Sequence, residues 1–128
     1  MSKKSLICTL VACFVIIAAQ SSMADESAAG VMANIVIKLN HFPSDADKAT
    51  LTGIIESEDS SEDEITIATA ILNIAHQVNA SDKESLGEII ADDSVSAEMR
   101  DLANAVLNVD HKASDADVAK LEMIASKS

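Results

Sequence analysis

Three segments of this chain, Ile37-Lys38-Leu39-Asn40-His41, Leu72-Asn73-Ile74-Ala75-His76 and Leu107-Asn108-Val109-Asp110-His111, are variants of one pattern spaced 35 residues apart. The residues after each segment also match. Ser44, Asp47, Leu51, Ile54 and Ile55 succeed the first, Asn79, Asp82, Leu86, Ile89 and Ile90 the second, and Ser114, Asp117, Leu121, Ile124 and Ala125 the third. A fixed period of this length without insertions is the mark of stacked helical hairpins, each unable to bury its apolar face alone. The expected fold is all-α: three tandem helix-turn-helix repeats, giving six short helices arranged as a small α-solenoid or bundle.

Ahead of the repeats, Lys3 and Lys4 precede an apolar run from Leu6 to Ala19 and a small-residue site, Ser22-Met23-Ala24. This pattern reads as a cleaved signal peptide over residues 1–24, leaving a single helical-repeat domain over 25–128. The run falls short of the roughly 20 residues a membrane span needs, so no stable membrane insertion is expected after cleavage. A rival reading is a lipoprotein anchored at Cys13, because Leu10-Val11-Ala12-Cys13 looks like a lipobox. The expected location is periplasmic or secreted. Both cysteines, Cys8 and Cys13, lie in the signal, so neither disulfides nor thiolate chemistry belong to the mature domain.

Loss of Lys3 and Lys4 takes the formal net charge from −12 to −14. Such a chain repels phosphate backbones, which argues against nucleic acid, and its natural partner class is a cationic protein or peptide. Phe42 is its one aromatic residue beyond the signal, so stacking platforms are absent.

The first helix of each unit is expected over Ala28–Asn40, from Ser60 or Ser61 onward, and over about Ala97–Asp110; the second begins at Asp45, near Asn79 and at Asp115. Pro43 stops the first helix, and Ser44 with Asp47 forms an N-cap that Asn79 with Asp82 repeats. Glu56 to Glu64 is a solvated acidic connector. Ile67, Ile71, Ile74 and Val78 make the helix of the middle unit the central element, and Ala68, Ala75, Ala103 and Ala105 permit close packing. Leu51, Leu86 and Leu121 should be equivalent buried positions, with Leu121 less costly to truncate than Leu86 because the terminal unit has no neighbouring repeat on one side.

The only chemistry-bearing residues at regular spacing are His41, His76 and His111. At the ends of helices they can donate to unpaired carbonyls, so they and the acids after them are expected to be caps that bind no transition metal tightly. The alternative is a metal or calcium buffer made of local His-Asp turns: His41 with Asp45 and Asp47, His76 with Asp82, and His111 with Asp115 and Asp117. Turns whose side chains converge would favour metal, and a contiguous apolar groove would favour a protein partner. Asp45 to Glu56 is no EF-hand, since Thr50 stands where that loop needs Gly. Gly30, Gly53 and Gly87 are isolated, and no nucleophile elbow or His-Glu-x-x-His helix is present.

The period and two-helix layout are similar to those of tetratricopeptide repeats. Their Trp, Gly, Tyr and Phe signature positions are not matched, so no peptide-binding residue carries over. The sequence therefore indicates a small exported acidic binding or interaction module, without cofactor and not an enzyme.

Overall fold

The structure, a computed structural model, describes residues 27–127, so the signal peptide and the Cys13 alternative lie outside the described residues. It is all-helical. Six helices succeed one another: α1 (Ala28–Lys38), α2 (Asp45–Glu56), α3 (Glu62–Leu72), α4 (Ala80–Ala91), α5 (Ala97–Leu107) and α6 (Asp115–Ala125). Among the described residues there are no strands, only isolated bridges in the turns.

Each helix starts where a short polar side chain can take up an orphan amide. Ser27, Ser44, Ser61, Ser96 and Ser114 accept from Gly30, Asp47, Glu64, Met99 and Asp117, and Asn79 accepts from Asp82. At Ser61 the box is reciprocal, because Glu64 accepts from the Ser61 amide at 2.8 Å. Glu62, Asp63 and Glu64 are thus the first turn of α3 and not connector, which shortens the expected acidic linker; their charge faces the positive end of the helix dipole. Replacing Ser61 with Ala should cost about 0.5–2 kcal/mol, read as a lower urea midpoint by circular dichroism.

The N-terminal helices of the hairpins end earlier than the periodicity suggests, at Lys38, Leu72 and Leu107. Ile74 and Val78 are buried, as expected, but from the turn. Ala75 is exposed there and packs no helix, unlike Ala68, Ala103 and Ala105.

Helices α1, α3 and α5 pack against one another at the centre, so α3 shares that place rather than holding it alone. Met32, Ile67 and Leu102 are fully buried at equivalent places on these helices, as are Val36, Ile71 and Val106. The outer helices carry Leu51, Leu86 and Leu121, each with no exposed surface. Ile54, Ile55 and Ile90 are only partly buried.

The pairing of outer with inner helices decides the architecture. Helix α2 packs most closely on α3, and α4 on α5, each against the helix that comes after it. Helix α6 has no successor and packs on α1, the most extensive helix pair in the molecule. The array is therefore a closed bundle and not an open solenoid, because the last helix returns to cover the flank that the first would otherwise expose.

Candidate metal centre

Each link between α1 and α2, α3 and α4, and α5 and α6 is anchored by two buried residues. Leu39, Ile74 and Val109 enter the core just after one helix, and Pro43, Val78 and Ala113 just before the next. Three residues must reverse the chain between each pair. The middle one is His41, His76 or His111, with φ of 72°, 72° and 68°, and these are the only non-glycine residues with positive φ among the described residues. Left-handed backbone is cheap for Gly and costs a side chain about 1 kcal/mol or more, although Asn, Asp and His tolerate it better than most.

The three turns meet. The amide of His76 donates to the carbonyl of His41, and that of His111 to the carbonyl of His76, both at 2.7 Å. The amide of His41 donates to the carbonyl of His111 and completes a cycle through the first and last turns. The ring centroids are 5.0–5.1 Å apart in edge-to-face contact. One nitrogen from each imidazole lies within 4.8 Å of the other two, and all three rings reach solvent. The histidines thus do not cap helix carbonyls, as their position in the sequence suggests; they lie past the helix ends and bond to one another.

The acids of the expected local sites go elsewhere. Asp47 accepts from the Ser44 hydroxyl at 2.8 Å. Asp82 accepts from Asn79 at 2.7 Å and from Asn73 at 3.1 Å. Asp117, itself buried, accepts from Ser114 at 2.8 Å and Asn108 at 3.4 Å. Two of these carboxylates therefore tie the end of one helix to the start of the next, while Asp45 and Asp115 sit in first turns beside the positive dipole end. None joins the histidines, for the only grouping of potential ligands found among the described residues is His41, His76 and His111.

The side chains just before two of the histidines orient them. Nδ1 of His41 is 2.7 Å from Oδ1 of Asn40, and Nδ1 of His111 is 2.8 Å from Oδ1 of Asp110. With Nδ1 donating its proton, Nε2 of a neutral ring keeps a free lone pair, the usual outer-shell arrangement of a metal-bound imidazole. His76 succeeds Ala75, which offers no such acceptor. Asp110 also accepts from Nε2 of Gln77 at 3.1 Å. The Gln77 bond, and after it the His111 bond, holds the Asp110 carboxyl below its usual range.

Three imidazoles at tetrahedral positions about 2.0–2.1 Å from one ion have centroids about 5 Å apart, so the observed ring spacing suits such an ion. The nitrogens must come closer, to roughly 3.4 Å from one another, by rotation of the solvent-facing rings. No protein-family model matches the chain, and neither curated proteins nor solved structures give a match.

Proposed function

We propose that this chain is a small exported protein of three 35-residue helical units whose turns jointly bind one transition-metal ion through His41, His76 and His111. The observation that carries this reading is the use of histidine at all three left-handed positions. A turn needing only φ near 70° is served more cheaply by Gly, so the imidazoles have a role beyond the turn. Their meeting at one point, each from a different turn, supports a shared ligand.

The donor set selects the ion. Imidazole nitrogens suit Zn²⁺, Cu²⁺ or Ni²⁺, whereas Ca²⁺ takes oxygen ligands and no carboxylate falls within the grouping among the described residues. The interaction-module reading has less to draw on. Among the described residues, one surface cleft is lined by Glu62, Asp63, Glu88 and Asp92, and another by Ala28, Val31 and Ile54 together with Asp59 and Glu64. Neither is a contiguous apolar groove. The periplasmic or secreted location remains part of the proposal; none of the described helices is long and apolar enough to cross a membrane.

Calorimetric titration with zinc at neutral pH tests it. The expected result is one ion per chain at micromolar affinity or tighter, weakening as pH falls because protons compete for the imidazoles. His76→Gly keeps the left-handed turn at no steric cost while removing one donor, so it should lose tight binding yet melt no lower than the parent. No binding, or binding indifferent to His76→Gly, overturns the reading.

A further inference from the structure

Three imidazoles alone do not complete the coordination of a tetrahedral ion. We infer that the fourth position is open and takes an exchangeable small anion from solution, in place of water. This inference rests on the three-histidine site and goes beyond it by naming a ligand class.

The donor count carries the argument. A tetrahedral ion needs four donors, and the grouping found among the described residues supplies three. No acid falls within that grouping: Asp45 and Asp115 sit in the first turns of α2 and α6, and the others near the histidines are engaged. Asp47, Asp82 and Asp117 accept from the cap residues, and Asp110 accepts from Gln77 and from the Nδ1 side of His111, which leaves it an orienting partner and not a ligand. Closed structural sites draw all four ligands from the protein, whereas sites with three protein donors keep a position for water or an incoming group.

Exposure supplies the route. The His111 side chain is 53% exposed, and all three rings reach solvent, so an incoming ligand meets no lid. Charge supplies the preference. Three neutral imidazoles leave the full double positive charge on the ion, and among small donors an anion gains most from it at contact distance. The chain's net charge of −12 opposes anions at long range, but salt screens that repulsion beyond about 8–10 Å.

Cobalt(II) loaded into the full chain, followed by visible absorption during titration with sodium azide, tests the inference. Cobalt should bind one per chain with the bands of a low-coordinate site. Azide should then shift those bands saturably with one-to-one stoichiometry, and dialysis should reverse the shift. If cobalt binds with dependence on His76 but azide leaves the spectrum unmoved, the fourth position keeps water or a protein group and the anion inference is wrong while the metal site stands. If cobalt does not bind, the metal reading and this inference fail together.

Discussion

Leu121→Ala should destabilise the domain by about 2–5 kcal/mol, as much as Leu86→Ala does, although Leu121 lies in the last of the six helices. A terminal unit of an open repeat array has one flank in water, and on that expectation the Leu121 change is the milder of the two. The structure reverses the expectation. Leu86 and Leu121 are both fully buried, and α6 is covered by α1 as α4 is by α5. Each truncation then loses the same transfer free energy and leaves a comparable cavity in a core whose neighbours cannot fully collapse. Against a total stability of about 5–15 kcal/mol, either loss moves the transition visibly. Urea unfolding followed by far-ultraviolet circular dichroism measures both, since the chain has neither Trp nor Tyr to report fluorescence. A Leu121→Ala midpoint close to the parent's, with Leu86→Ala strongly lowered, would mean that the ring opens in solution.

Deleting α6, by ending the chain after Ala113, should abolish the cooperative transition. Its removal withdraws Leu121 and Ile124 from the core and Val118 from its margin. At about 1.5–3 kcal/mol for each fully buried aliphatic side chain, the loss is of order 5 kcal/mol before the newly exposed flank of α1 is counted. That flank matters because α1 makes its most extensive contact with α6 and little with α2, its own hairpin partner. In an open array the remaining five helices would keep most of their neighbours; in a closed one the deletion uncovers both ends of the cycle. A shallow, non-cooperative melt is the expected result. A truncated chain that melts sharply near the parent temperature would show that α6 contributes little to closure.

The reach of sequence reasoning here tracks the range of the interactions concerned. Helix starts are legible at Ser44 and Asn79, and to within one residue at Ser60 or Ser61, because a cap involves residues three apart and such local contacts do not depend on the tertiary arrangement. The buried identity of Leu51, Leu86 and Leu121 is legible from their common register. Helix ends are harder to read. Leu39, Ile74 and Val109 continue the helical spacing yet lie beyond Lys38, Leu72 and Leu107, because an apolar residue can reach the core from a turn as well as from a helix. Spacing singles out the histidines but assigns them to caps, since nothing local distinguishes a last-turn residue from a left-handed one just past the helix end.

Two features belong to the tertiary structure alone. One is closure: the period of 35 residues specifies that neighbouring units pack alike, while the angle between them, which decides whether the third returns to the first, depends on how Ala33, Ala68 and Ala103 let α1, α3 and α5 approach at the centre. The other is its consequence. His41 and His111 are 70 residues apart in the chain and meet because the cycle closes, so the convergence that turns three separate imidazoles into one candidate site exists only once α6 has found α1.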